Sequence, residues 1–432
     1  MKLNSPFPPI YIVDGSRTPF LKARGRRGPF SALDLVVSTG QQLLARQPFE
    51  PKDIGEVILG CMMPSENEAN IGRLAALRLG CGDKVPGWTV QRNCASGMQS
   101  IDSALLDIIQ GRHDLVLAGG VDAMSRAPLI VNPKMVNLLA DLRSAKGLIS
   151  RLKALLQWRP DYLKPVVALI CGLTDPVVSL NMGQTAEILA AEFKITREQM
   201  DQFSLASHQH LTQAQEKGYL QEITTLYDAN GQFYNHDDGA RADTSLEKLA
   251  KLPPIFDPRF GLVTAGNSSQ ITDGAALVIL ASEKAVRDYQ LPTLGRIIDV
   301  NWAALDPARM GLGPVMAATP LLMKHQLGLN DLDYWEINEA FAAQVLACLA
   351  AWQDAKFCET HFGLKQAMGK LDNTRLNVDG GAIACGHPVG ASGARIVLHL
   401  LHVLKRNKAR LGMAAICVGG GQGGAMLVEA TP

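Results

Sequence analysis

Neither charge sign dominates this sequence. Its 42 Lys and Arg residues stand against 41 Asp and Glu, a formal net charge of +1 over 432 residues. That balance gives no whole-surface field for collecting nucleic acid. No stretch approaches the ~20 apolar residues that a membrane-spanning helix needs. The eight cysteines, at 61, 81, 94, 171, 348, 358, 385 and 417, form no Cys-x-x-Cys pair, so the usual spacing of a structural zinc site is absent. Scattered thiols suit a reducing compartment better than a disulfide framework. Residues Met1 to Pro9 show no apolar signal core and no Arg-rich presequence. The expectation is a cytoplasmic protein with no metal.

What is present describes a globular protein: 47% of residues are apolar and 19% charged. The length exceeds the ~250–300 residues at which single cores stop growing, which argues for two lobes. Short apolar runs (Ile10–Val13, Val57–Leu59, Leu115–Ala118) alternate with helical patterns such as Ile101–Ile109, and this predicts an α/β fold. A weak internal repeat agrees with two related halves. Ala95-Ser96-Gly97 precedes a helix, the strand Leu115–Ala118 and Gly119-Gly120; Ala391-Ser392-Gly393 precedes a helix, the strand Ala414–Val418 and Gly419-Gly420-Gly421. The halves are read as 1–290 and 291–432. Residues 127–261, rich in prolines and polar turns, read as an insertion into the first half. Within it, Thr196 and Gln199 form a capping box that opens a helix.

Residues 134–164 stand apart. Met135, Leu138, Leu139, Leu142, Ile149, Leu152, Leu155 and Leu156 recur at helical spacing. Lys134, Arg143, Lys146, Arg151, Lys153, Arg159 and Lys164 oppose only Asp141 and Asp161. Such a segment is either a helical cover packed on the body or a basic amphipathic surface. The latter would serve a phosphorylated ligand, an acidic lipid surface or a partner.

Four windows carry chemistry. In Gln91-Arg92-Asn93-Cys94-Ala95-Ser96-Gly97, a strand turns into a helix at Cys94. Backbone N–H groups at that turn are expected to favour the thiolate, the nucleophilic form; a buried core cysteine fits the same window. In Gly386-His387-Pro388, a histidine enclosed by nearby glycines can be aimed, and it can take a proton from a thiol. In Ile416-Cys417-Val418-Gly419-Gly420-Gly421, a cysteine closes a strand and glycines open the backbone to a ligand. The fourth, Asn338-Glu339-Ala340-Phe341, follows the apolar Tyr334-Trp335. Singly, the last two say little.

Together these windows resemble the thiolase family, and the resemblance runs along nearly the whole chain. Ser16-Arg17-Thr18-Pro19-Phe20 looks like the family's first strand exit. Gly119-Gly120-Val121-Asp122-Ala123-Met124-Ser125 is similar to its Gly-Gly-x-Glu-x-Met-Ser turn, with Asp for Glu. Thr264-Ala265-Gly266-Asn267-Ser268-Ser269 with Asp273-Gly274-Ala275-Ala276 resembles a further block.

The resemblance implies two βαβαβαββ halves in five α-β-α-β-α layers, with a loop domain over the active site. It implies an acyltransferase that cleaves 3-ketoacyl-CoA with coenzyme A, as in fatty-acid β-oxidation. Cys94 would be the acyl-accepting nucleophile and His387 the activating base. Cys417 would be the acid/base at the carbon next to the thioester. Asn338 would hold a water for one oxyanion, and the N–H groups of Cys94 and Gly419 would hold the other. Ser269 and Met182 would lie along the coenzyme A arm. No metal or redox cofactor has a role, and coenzyme A is a substrate. A homodimer or homotetramer is expected.

Two departures bear on specificity. Asn181 precedes Met182-Gly183 where many short-chain members carry His. The 134–164 segment is similar to that of β-type subunits of fatty-acid oxidation complexes, which pair with a hydratase/dehydrogenase subunit, but those often have His where Asn338 stands. A biosynthetic acetoacetyl-CoA thiolase is the nearest alternative. A Cys-His-Asn thioester hydrolase is an alternative of another class, and it leaves Cys417 without work.

Overall fold

A computed structural model describes residues 5–431; the amino-terminal reading above rests partly on residues 1–4, which lie outside them. Nine strands frame the molecule: β1 (Ile10–Arg17), β2 (Glu56–Gly60), β3 (Gly87–Val90), β4 (Leu115–Ala123), β5 (Thr272–Ser282), β6 (Gly295–Ala304), β7 (Tyr334–Ile337), β8 (Leu411–Val418) and β9 (Gln422–Ala430). They run in the order β7-β8-β9-β6-β1-β5-β4-β2-β3, and the two-residue strand Leu21–Lys22 pairs with β5.

The order contains the same pattern twice. In the first half, β2 lies parallel to β3 and β4, and β5 runs antiparallel to β4 and β1. In the second, β7 is parallel to β8, and β9 is antiparallel to β8 and β6. A parallel bridge between Trp335 and Leu376 takes the place of β3. The halves meet edge to edge where Tyr11 pairs with Arg296 and Ile12 with Gly295.

Strand period 2 sorts side chains into separate cores. Val57 and Leu59 pack under the helices Ala32–Ala45 and Ile71–Arg78, while Ile58 faces the other way. Between the two halves of this sheet lie the helices Ser96–Ile109 and Val389–Arg406, which bring Met98, Ile101, Ile396 and Leu400 against Ile58, Val278 and Ile416. On the far side, the helices Gly313–Lys324 and Ala342–Gln353 cover Ile337, Met413 and Leu427. These are the five expected layers.

The repeated Ala-Ser-Gly triplets sit where the two central helices cross. A Cβ on Gly97 would strike the backbone of Gly390 and Ala394, and one on Gly393 would strike that of Met98. Gly119 and Gly120, however, are not a turn: β4 runs through them to Ala123. A side chain at Gly120 would collide with the carbonyl of Gly390, so this glycine permits close packing of the central helix. The turn reading holds for the second copy, where Gly420 and Gly421 adopt φ of 91° and 77°.

Residues 124–271 lie between β4 and β5. The helix Arg197–Glu216 opens with Thr196 and Gln199 in the expected capping box. Residues 134–164 form the helices Pro133–Ser144 and Leu148–Leu155 and a short 3-10 turn. They bury Leu138 and Ala154 but leave Leu148 and Ile149 75% and Leu156 81% exposed. A helical cover packed on the body is therefore not what this segment makes. Among the described residues, no helix is long and apolar enough to cross a membrane.

Candidate active site

Cys94 follows β3 and stands two residues before the helix Ser96–Ile109. The turn is sharp enough that Asn93 adopts φ 42°, a left-handed conformation uncommon outside glycine. Asn93 is held there by its own side chain, whose Nδ2 donates to the Gly419 carbonyl at 2.7 Å. One hydrogen bond thus ties the Cys94 loop of the first half to the glycine loop of the second.

A cavity of about 690 Å³ brings the two loops together; Cys94, His387, Cys417, Ser269 and Met182 all line it. Met182 opens the helix Met182–Glu192, which Asn181 caps with Gln184. The Met182 sulfur lies beside Gly419, where a Cβ would come within 3.2 Å of it. Ser269 is fixed by its N–H to the Ala340 carbonyl at 2.9 Å, which joins the Thr264–Ser269 loop to the Asn338–Phe341 loop. No residue of 134–164 lines the cavity, so the apolar face of that segment is not its wall.

The Cys94 thiol departs from expectation. Burial pushes its pKa up to about 11, against the N–H groups of Gly419 and Cys94 that favour the anion. Backbone dipoles lose here to desolvation, and the sulfur rests as a thiol. The two N–H groups still converge on it from opposite halves of the chain.

His387 is buried between the short helix Ala382–Cys385 and the helix Val389–Arg406. Burial, then the charge of Arg395, pushes its pKa down to about 4, so the ring is neutral at physiological pH. Its Nδ1 lies 2.6 Å from Ser392 Oγ, and that hydroxyl also donates to the Pro388 carbonyl at 3.1 Å. One hydroxyl proton serves only one acceptor. Both bonds form together when Nδ1 carries the ring proton and donates to Ser392. Nε2 is then a bare acceptor, and it has no partner among the described residues. A ring in this state can take a proton at Nε2.

Cys417 lies near the end of β8. By parity it faces the core of Met413 and Ala415, away from Ile416 and Val418. Burial, then the neighbouring thiols of Cys94 and Cys348, holds its pKa well above the usual thiol range. Asn338 leaves β7 with its N–H on the Ala415 carbonyl at 3.0 Å. It does not line the cavity, but it is fully buried and neither Oδ1 nor Nδ2 has a partner among the described residues. Buried carboxamides are normally hydrogen-bonded, so this one is suited to a polar guest. Gly419 is buried at the head of the turn, and Gly420 beside it is exposed.

Three positioning groups escaped the sequence reading. Asp122, fully buried, accepts from the N–H groups of Met62, Met63 and Gly390, clamping the start of the helix that follows His387. The available signal was its place in the Gly119–Ser125 block, which assigned it no role. Glu339, also buried, takes Ser207 Oγ at 2.7 Å, Asn377 Nδ2 at 2.8 Å and the N–H of Ile383 at 3.2 Å; it pins the Gly380–Ile383 loop. Ser392 lies in the second Ala-Ser-Gly triplet, five residues after His387, but nothing in the sequence reveals its hydrogen bond.

With this geometry in hand, comparison with known proteins is specific. The family models for the thiolase N-terminal and C-terminal domains match residues 10–284 and 291–430. The mitochondrial 3-ketoacyl-CoA thiolase of Rattus norvegicus is 37% identical over 98% of this chain and 98% of its own. The mitochondrial trifunctional enzyme subunit beta of Bos taurus is 36% identical over 98% of this chain and 88% of its own. The crystal structure of human mitochondrial 3-ketoacyl-CoA thiolase in complex with CoA superposes with a TM-score of 0.85 at 35% identity, covering 100% of both chains.

Proposed function

Because the chain belongs to the thiolase family, we propose that it cleaves 3-ketoacyl-CoA with coenzyme A, giving acetyl-CoA and a shortened acyl-CoA, as in fatty-acid β-oxidation. The observation that carries this is the meeting, in one cavity, of Cys94, Cys417 and a neutral His387.

The reaction follows from these groups. His387 Nε2 accepts the Cys94 proton as the sulfur adds to the 3-keto carbon. Because the resting thiol is protonated, deprotonation accompanies attack. The N–H groups of Cys94 and Gly419 receive the oxyanion; one such donor is typically worth ~10²–10³ in rate. When the carbon–carbon bond breaks, electron density moves to the acetyl thioester, whose enolate oxygen is met by a water held by Asn338 with His387. Cys417 then supplies the α-proton. The proton that His387 took from Cys94 passes to Cys417 and restores its thiol, which leaves Nε2 bare again. A second coenzyme A, losing its thiol proton to the neutral His387, takes the acyl group from Cys94, and that proton returns to the departing Cys94 sulfur. The proposal includes no metal and no redox cofactor. Thiolysis of 3-ketoacyl-CoA substrates across chain lengths tests it. Release of free acid instead of acyl-CoA would leave a hydrolase, and turnover of acetoacetyl-CoA alone would favour the biosynthetic reading.

The tautomer argument gives a separate prediction. Ser392→Ala removes the acceptor for Nδ1–H and frees the ring to place its proton on Nε2, where it cannot act as a base. The turnover number should fall about 10–100-fold, within the range of positioned acid–base groups. The fold should survive: Ala suits a helix, and the Pro388 carbonyl keeps the N–H groups of Ala391 and Ser392. Steady-state thiolysis checks this, and unchanged turnover would remove Ser392 from the scheme.

The proposal extends to partners and place. A homo-oligomer and a cytoplasmic location are part of it; the rat and bovine relatives are mitochondrial proteins, so cell fractionation decides the second. We assign residues 134–164 to an anionic surface, either a lipid bilayer or an acidic partner such as a hydratase/dehydrogenase subunit. The support is exposure: Leu148, Ile149 and Leu156 face solvent beside Arg143, Lys146, Arg151 and Lys153. Each basic residue is worth about 1 kcal/mol at an anionic membrane. Replacing those four by Gln should abolish salt-sensitive sedimentation with anionic vesicles, or copurification of a subunit, while short-chain thiolysis persists. If wild type binds neither at low salt, the segment has no docking role.

A further inference from the structure

The segment that carries His387 is short of hydrogen-bond partners within its own backbone. The helix Ala382–Cys385 is one turn long, and Gly386 ends it with φ 104°. A continued helix would satisfy the Ile383 carbonyl with the N–H of His387 and the Ala384 carbonyl with the N–H of the residue after it. Neither donor serves. The His387 N–H turns away, to the carbonyl of Gln270 at 3.0 Å. The next residue is Pro388, which has no N–H.

Gln270 makes up these deficits. Its backbone carbonyl takes the His387 N–H. Its side-chain Nε2 donates to the carbonyls of Ile383 at 3.2 Å, Ala384 at 3.3 Å and, in the inserted region, Gly239 at 2.9 Å. Two amide hydrogens serve these three acceptors when one is shared between Ile383 and Ala384. The orientation is fixed, because a reversed amide would set its oxygen against three carbonyl oxygens. As placed, Oε1 is buried without a partner among the described residues, so the N–H groups are what hold this side chain. Gly239 lets the contact close: a Cβ there would lie 2.5 Å from the Ala384 carbonyl oxygen and 3.0 Å from Gln270 Nε2. Gln270 also lines the cavity, one residue after Ser269.

We propose that Gln270 is a positioning residue for His387. Its amide stands in for the missing helix donors, and its carbonyl fixes the point from which the imidazole leaves the backbone. This rests on the thiolase reading and adds a residue to it. Ser392 sets the tautomer of the ring, and Gln270 sets where the ring stands. A displacement on the order of 1 Å in a reacting group can cost about 10²-fold in rate, so loss of these bonds is read in turnover more than in binding.

The test is Gln270→Met, which keeps the length of the side chain and removes its donors. Turnover in thiolysis, per mole of protein that acylates at Cys94 on long incubation, should fall about 10–100-fold. KM for coenzyme A should change less than about twofold. Single-turnover acylation of Cys94 from an acyl-CoA, followed by mass spectrometry, should slow by the same factor as turnover. In a His387→Ala background, adding Gln270→Met should slow that acylation less than about twofold, because a residue that acts through His387 has nothing left to position. Gln270→Asn, one methylene shorter, draws the N–H groups back from the carbonyls and should lose turnover as well; it carries the test if the Met variant does not fold. Full turnover in Gln270→Met, a loss confined to KM, or a loss undiminished in the His387→Ala background overturns the proposal. Absence of thiolysis in wild type would instead strike the thiolase reading. Amide hydrogen exchange then decides the role of Gln270: the His387 N–H should exchange at least about tenfold faster in Gln270→Met than in wild type, and equal exchange overturns it.

Discussion

Cys94→Ala is expected to abolish thiolysis, a loss on the order of 10⁴-fold or more, as for other enzymes deprived of their covalent nucleophile. The fold should be untouched. Ala is smaller than Cys, and the backbone of Asn93, Cys94 and Ala95 is set by Asn93 Nδ2 on Gly419 and by Ser96 Oγ on the Asn93 carbonyl at 2.7 Å, neither of which uses the sulfur. Incubating wild type with an acyl-CoA should add the acyl mass to the peptide that contains Cys94, and to no other cysteine peptide. The raised thiol pKa has a further consequence. Without acyl substrate, alkylation of Cys94 at neutral pH should be slow, rising as pH climbs toward about 11. Substantial thiolysis by Cys94→Ala would falsify the acyl-enzyme scheme.

Cys417→Ser should separate the two halves of the reaction. Acylation of Cys94 from a simple acyl-CoA needs the nucleophile, His387 and the two N–H donors, so the acyl mass should still appear. Exchange of the α-protons of acetyl-CoA with deuterium needs the second acid/base, and it should fall by about 10²–10⁴-fold. Serine is a far weaker acid, and its hydroxyl enters a fully buried site. An unpartnered hydroxyl there costs about 1–3 kcal/mol, so thermal unfolding should accompany the assay to separate stability from chemistry. Normal exchange in Cys417→Ser would take the acid/base role away from this residue. Loss of both exchange and acylation in a folded protein would mean that the two cysteines do not act separately.

Much of this was legible in the sequence, for a definite reason. A strand that breaks into glycines, a histidine between Gly386 and Pro388, and a Thr196–Gln199 capping box are statements about local dihedrals and hydrogen bonds within a few residues. The apolar run Val57–Leu59 marked a strand, and strand period 2 then puts Val57 and Leu59 on one face and Ile58 on the other. The Ala-Ser-Gly triplets marked the duplication, although only the fold revealed that the two copies pack on each other. The glycines after Leu115–Ala118 looked like a turn and are not, because what demands glycine at Gly120 is the carbonyl of Gly390, 270 positions away in the chain.

What the tertiary structure alone decided are quantities that sum over space. The helix start at Cys94 favours a thiolate, yet the thiol is held neutral because walls drawn from both halves remove water from it. The charge state of His387 is set first by burial, to which many distant residues contribute, and only then by Arg395 on the helix that follows it. The cavity draws Cys94, Ser269, His387 and Cys417 from four distant segments. Local sequence sets conformation through steric and hydrogen-bonding rules that act over a few residues. Protonation, field and cavity shape are set by every atom within several ångströms, and those atoms are neighbours only after the chain has folded.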